Sequence, residues 1–208
     1  ETTGLSRPFD ALAQAFATPL KMVRAPAAIV DRDEAGAKVA TLELEVMEGE
    51  GPAHQHPGDM FSTVINDTFK TAMSTAFAAA YGLAAQRAGS LAQRPCHGRW
   101  RIVDPTTGLP FQSVGGPSAG GAALYGWYSA LSGTVCDPGI IVIAEIQFED
   151  AMVALKPTSG VKEKVTEVAR SAVGRIDRIV KTRILVRFDS YRLLIGAVEE
   201  EIVFPVIW

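Results

Sequence analysis

Two stretches of the chain carry residues whose types and spacing suit acyl-transfer chemistry. In GGPSAGG, residues 115–121, Ser118 stands at the mouth of an apolar helical run. Its hydroxyl would project from a turn there, and backbone N–H groups around Gly116 and Ser118 would converge on a developing oxyanion. A serine in this place can equally serve as an N-cap. A hydroxyl nucleophile needs a base, and neither His54, His56 nor His97 is placed by its sequence context to be one. A lysine can take the role once burial lowers its pKa from about 10.4 towards neutrality. In GVKEKVTEVARSAV, residues 160–173, Val161, Val165, Val168 and Ala172 form an apolar stripe. Lys164 falls on that stripe and Lys162 off it, so helical periodicity turns Lys164 inward and Lys162 outward. The alternative is a lysine snorkelling at the stripe's edge.

Other chemistries lack their residues. A phosphate-binding P-loop needs Lys and Ser/Thr after its last glycine, whereas Pro117, Ser118 and Ala119 follow Gly116. The dinucleotide fingerprint fails as well, because the loop does not follow a long apolar strand in a βαβ unit. Cys96 and Cys136 are too few for a disulfide scaffold and lack CxxC spacing. His54 and His56, in GPAHQHPGD, read as a solvated turn. No metal and no cofactor is expected.

Elements to position Ser118 and Lys164 are legible around them. PFDALAQAFATPL, residues 8–20, reads as a short amphipathic helix within an N-terminal extension, 1–30. From Lys38 the chain alternates, with Leu42, Leu44 and Val46 on one side and Glu43 and Glu45 on the other, as in a half-buried strand ending at Gly49. An alanine-rich stretch from Asp59 to about Ala88 repeats Val64, Phe69, Met73, Phe77 and Ala80 at helical spacing, which reads as core packing. GRWRIV reads as a strand, DPTTGLPFQSVGGPSAGG, residues 104–121, as a turn-rich loop, and Ser118 to about Ser132 as a second helix. GIIVIAEI, 139–146, reads as one continuous buried strand, linked through residues 148–150 to a returning AMVAL. After the lysine helix come a strand RILVRF, a helix around YRLLIGAVEEE and a strand EIVFPVI. Strands and helices neither alternate strictly nor segregate, so the fold class is α+β in a single domain.

Bulk composition agrees with one sizeable core. The chain has 208 residues, 48% of them hydrophobic and 21% charged, with a mean hydropathy of +0.15, which excludes disorder. Its net charge of −3, from 20 Lys+Arg against 23 Asp+Glu, provides no polyanion-binding surface, so nucleic acid is not an expected partner. No run of about 18 apolar residues exists and no signal-peptide pattern follows Glu1, so no membrane association and a cytoplasmic location are expected. The missing initiator Met fits a processed product or an excised domain.

GGPSAGGAALYGWYSALSG at 115–133, an apolar strand with AEI, and PTSGVKEKVTEVAR at 157–170 resemble the proteolytic domain of Lon-type proteases. That family has a Gly-Pro-Ser-Ala-Gly nucleophile motif and a later Gly-hydrophobic-Lys-Glu-Lys helix whose second lysine completes a Ser/Lys dyad. The resemblance implies Ser118 as nucleophile, Lys164 as base, and a Lon-like proteolytic domain over 31–208. Upstream, TLELEVMEGEG and the segment from Gly58 to Ala80 resemble the family's first strand and long helix. Two positions depart from the pattern: Gly115 replaces an acidic residue, and Ile143 replaces a threonine whose hydroxyl helps orient the lysine. Thr158, Ser159 or a backbone carbonyl would then supply the acceptor. The resemblance implies a protein or peptide substrate, an ATPase module supplied by another region or chain, and a homo-oligomeric ring. More distantly, the chain is similar to the stand-alone Ser/Lys proteases that process birnavirus polyproteins. A catalytically inert Lon-like assembly or peptide-binding module is the third reading.

Overall fold

The alternation in residues 36–48 builds the centre of the molecule. The computed structural model describes residues 17–31, 36–60, 62–138, 140–149, 152–156, 163–164, 166–168 and 183–185. Strand β2 (Gly36–Glu48) pairs antiparallel with β1 (Lys21–Asp31) on one side and with β5 (Cys96–Val103) on the other. Two-residue strands β3 (His54–Gln55) and β4 (Val64–Ile65), with β6 (Ser113–Gly115), complete a six-stranded sheet in the order β3-β5-β2-β1-β6-β4. Leu42, Leu44 and Val46 are wholly buried on one face. Glu43 and Glu45 occupy the other, where Glu43 pairs with Arg24 and Arg101 and Glu45 with Arg99, each from a neighbouring strand. Period-two alternation thus separates a dry face from a face of cross-strand ion pairs.

Two helices cover the dry face. Helix α1 (Asp67–Ala85) buries Phe69, Met73, Ala76, Phe77 and Ala80. Helix α2 (Gly120–Ser132) packs beside it, with Trp127 edge-on to Phe77 at 5.4 Å and Trp100 of β5 against Phe69 at 5.5 Å. Gly126 presses α2 onto the sheet, since a side chain there would meet Leu44 and Ala25. Beyond α2, β7 (Ile140–Val142) pairs parallel with β10 (Arg183–Leu185), and β8 (Glu145–Glu149) forms an antiparallel hairpin with β9 (Met152–Lys156). The described residues form a mixed α+β fold, and none of their helices is long and apolar enough to cross a membrane.

Several sequence expectations change. Residues 21–30, assigned to the N-terminal extension, are an internal strand of the main sheet. Their pattern is muted because Ala25 is kept small beneath Gly126 of α2 and the other buried positions include the equally small Ala27 and Ala28. Pro26 is tolerated because β6 bonds to β1 only at Val30 and Asp31. The long helix starts at Asp67, not Asp59, because Asn66 caps it by accepting the Phe69 N–H at 2.9 Å. The expected solvated turn at His54 is a strand paired with Arg99 and Trp100, and the turn-rich loop contains β6. The continuous strand expected at 139–146 is two strands, broken at Ile143 and Ala144. Strand RILVRF is described only at 183–185. The 8–20 helix, except Ala17–Leu20, which are not helical, and the elements after residue 185 lie outside the described residues.

Candidate active site

The serine motif leaves the sheet at β6, where Gly115 is paired with Val30. Gly116 then takes φ of +88°, a left-handed conformation that side chains disfavour, and turns the chain into a 3₁₀ turn, Pro117–Ala119, which runs into α2. Ser118 sits inside that turn and is 5% exposed. It is not a cap: the residues at the two N-cap positions are Gly116 and Ala119, and neither makes a side-chain capping bond. The structural alternative for this serine therefore fails. The first N–H groups of a helical segment have no partner within it, so Gly116 and Ser118 stand where such donors cluster.

Packing requires glycine at 121 and leaves little room for a side chain at 120. A side chain at Gly120 would come within 3.2 Å of Ile146 Cγ1, and one at Gly121 within 2.7 Å of Val142 Cγ1 and 3.1 Å of Ala144 Cβ. The strand break at Ile143 and Ala144 and the start of α2 thus fit together, and Gly121 donates its N–H to the Ala144 carbonyl at 2.9 Å. Sequence pattern alone misses this break, because buried strand residues and buried linker residues are equally apolar.

Lys164 lies in a helical stretch with residues 163 and 166–168. It is 2% exposed, Val168 is 3% exposed, and Glu163 faces solvent. An ammonium snorkelling into water is incompatible with that burial. Removal from water lowers the Lys164 pKa below its usual value, and the Glu163 charge opposes the shift in part. Lys162, Val161, Val165, Ala172, Thr158 and Ser159 lie outside the described residues. Ile143, at the position of the expected threonine, is fully buried.

The remaining reactive groups point elsewhere. Burial pushes the Cys136 thiol up to about 11 and raises that of Cys96, so neither is an activated thiolate. His54 stacks on His97 with ring centroids 5.2 Å apart, and His97 Nδ1 lies 3.2 Å from the Gly49 carbonyl. Among the described residues no three His, Cys, Asp or Glu side chains are arranged to hold a metal. No protein-family model matches the chain, and no curated protein matches it.

Proposed function

We propose that the chain is a serine endopeptidase that hydrolyses peptide bonds through a Ser118/Lys164 dyad on a Lon-like proteolytic fold. The observation that carries this reading is the burial of Lys164, with its lowered pKa, at the position where the motif expects a neutral lysine base. Neutral Lys164 takes the proton of Ser118 as Oγ attacks the peptide carbonyl. The resulting oxyanion is held by the backbone N–H groups of Gly116 and Ser118, a kind of donor whose loss typically costs about 2.7–4 kcal/mol. The tetrahedral species collapses to an acyl-enzyme as the protonated lysine gives its proton to the departing amine. Lysine then takes a proton from water as its oxygen adds to the acyl carbon, and returns that proton to the Ser118 oxygen as the ester bond breaks and the acid is released. An ATPase partner, a ring assembly and a cytoplasmic location belong to the same proposal.

Ile143 favours one competing reading, an inert Lon-like module that binds peptides. A hydrocarbon stands where the dyad lysine's hydroxyl acceptor is expected, and it is wholly buried. Reaction with a small acylating β-lactone, followed by intact mass and peptide mapping, separates the two. The peptidase reading expects one adduct on Ser118, lost in Ser118→Ala and slowed at least 100-fold in Lys164→Met. A folded native chain that takes no adduct would establish the inert module instead.

A further inference from the structure

His56 closes the loop between β3 and β4 with a hydrogen bond that exists only while its ring is neutral. Nδ1 accepts the Gly58 N–H at 3.1 Å and so caps the 3₁₀ turn Pro57–Asp59. An acceptor needs a free lone pair, so the ring holds a single proton, on Nε2. Gly58 admits the ring this close, since a Cβ there would lie 3.2 Å from Nδ1. A second ring proton sets an N–H on Nδ1 against the Gly58 N–H and turns the cap into a repulsion between donors. The neighbouring His97 is built the other way: its Nδ1 faces the Gly49 carbonyl, 3.2 Å away, a bond that a second ring proton leaves intact. The charged groups around His56 are Arg99 and Arg101 of β5, Glu45 of β2, Asp59 of its own turn and His54 of β3. Arginines and carboxylates are balanced in number there, and burial is the main cause that favours the neutral ring.

The capped turn holds more than itself. The Asp59 carboxylate lies 3.0 Å from Arg101 Nε and accepts from Arg101 Nη2 at 3.3 Å. Its carbonyl accepts from Gln55 Nε2 at 3.1 Å and from the N–H groups of Ser62 at 3.2 Å and Thr63 at 3.1 Å. Among the described residues from Pro57 to Val64, only Asp59 and Thr63 are buried. Both are polar, so hydrogen bonds and the Arg101 pair, not apolar burial, keep this segment closed, as in locally opening regions. The chain then enters β4, where the Val64 N–H donates to the Gln112 carbonyl at 2.8 Å and the Asn66 N–H to the Val114 carbonyl at 3.3 Å. Val114 immediately precedes the serine motif. We propose that His56 is an acid-operated latch: its protonation opens the segment Pro57–Val64 and loosens β4 from β6, the strand that leads into the serine turn. The consequence for Ser118 rests on the peptidase reading; the opening itself does not.

The test is amide hydrogen exchange of the full chain, read by mass spectrometry at about pH 7.5 and about pH 5 and corrected for the intrinsic pH dependence of exchange. In acid the native chain is expected to lose at least about fivefold protection over residues 57–66, the scale of a lost N-cap. His56→Asn, which caps without titrating, should keep that protection at both pH values. His56→Ala, which has no cap, should lack it at both. Unchanged protection of β2 in every chain shows that the opening is local. Equal loss in the native chain and in His56→Asn, or loss in neither, overturns the latch. For Ser118, the rate of β-lactone acylation in the native chain divided by that in His56→Asn, in which any titration of Lys164 cancels, should fall from neutral pH to acid. A constant ratio while the segment opens overturns the coupling to the serine turn. If Ser118 takes no adduct in either chain, the peptidase reading falls, and the exchange measurement still decides the latch.

Discussion

Gly121 donates its N–H to the carbonyl oxygen of Ala144 at 2.9 Å, joining the first turn of α2 to the break between β7 and β8. One bond thereby satisfies a helix-terminal donor and a carbonyl that has left the strand ladder. The contact requires glycine, because a Cβ would lie 2.7 Å from Val142 Cγ1. Gly121→Ala is expected to destabilise the chain by about 1–3 kcal/mol, the usual cost of overpacking, and to slow Ser118 acylation by displacing its turn. Gly82→Ala in α1, where nothing lies within 4 Å of the added carbon, should instead stabilise by about 0.5–1 kcal/mol. Urea denaturation of the two variants checks the contrast. Equal effects would mean that α2 does not approach the strand break so closely.

On the peptidase reading, Lys164 sets stability against chemistry. Its folded pKa is lowered, so the unfolded chain holds the proton more tightly, and stability is lost as pH falls from about 10.5 through the folded value. At neutral pH the folded state therefore bears a cost that an apolar side chain of similar size does not. Lys164→Met is expected to gain about 0.5–2 kcal/mol, the range of a single stabilising substitution, while abolishing acylation of Ser118. It should also flatten the rise of stability between about pH 7 and pH 10. Denaturant midpoints across that range decide the matter, and an unchanged slope would mean that Lys164 is not desolvated.

Regular alternation and helical spacing made β2, β5, α1 and α2 legible in sequence, since Leu42, Leu44 and Val46 or Phe69, Met73 and Phe77 can face one core only in those periods; the return of the chain onto β9 was also legible, but the link expected at 148–150 begins too early, because Phe148 and Glu149 are still paired strand residues of β8. The inward direction of Lys164 was legible for the same reason. Strand β1 was not, because α2 approaches closely at Ala25 and Ala27 and Ala28 are buried but small, which removes the contrast on which periodicity depends. The pairing of His54 with β5 was hidden because a two-residue strand is too short for any period.

The outer face of the sheet supplies a third expectation. Arg99 is 3% exposed and pairs through Nε with Glu45 across β2 and β5, while its Nη2 donates to the Ala17 carbonyl at 3.1 Å. Removing one partner of such a pair leaves a buried charge, typically at a cost of about 3–5 kcal/mol. Arg99→Met should fall near the lower end of that range, because the Glu45 side chain keeps 13% exposure. The double variant Arg99→Met/Glu45→Leu should recover most of the loss, as no unpaired carboxylate then remains. A double-mutant cycle in urea measures the coupling, and additive losses would show that the pair acts as two independent contacts.

Acid sensitivity should originate around the stacked His54 and His97 rings. Burial lowers the His54 pKa below 6.5, with nearby His97 adding repulsion; burial also lowers that of His56, with Arg99 adding repulsion. Both groups are therefore held neutral in the folded chain, and the stability they contribute is complete above about pH 6.5 and lost as pH falls through their depressed folded values. His54→Phe keeps an aromatic ring against His97 but cannot take a proton. Between about pH 7.5 and pH 5 the native chain should lose more melting temperature than this variant by roughly 2–4 °C, the shift expected for about 1 kcal/mol in a chain of this size. His56 leaves a smaller residual slope in the variant. Identical pH profiles for the two chains would show that His54 takes up its proton without opposing the fold.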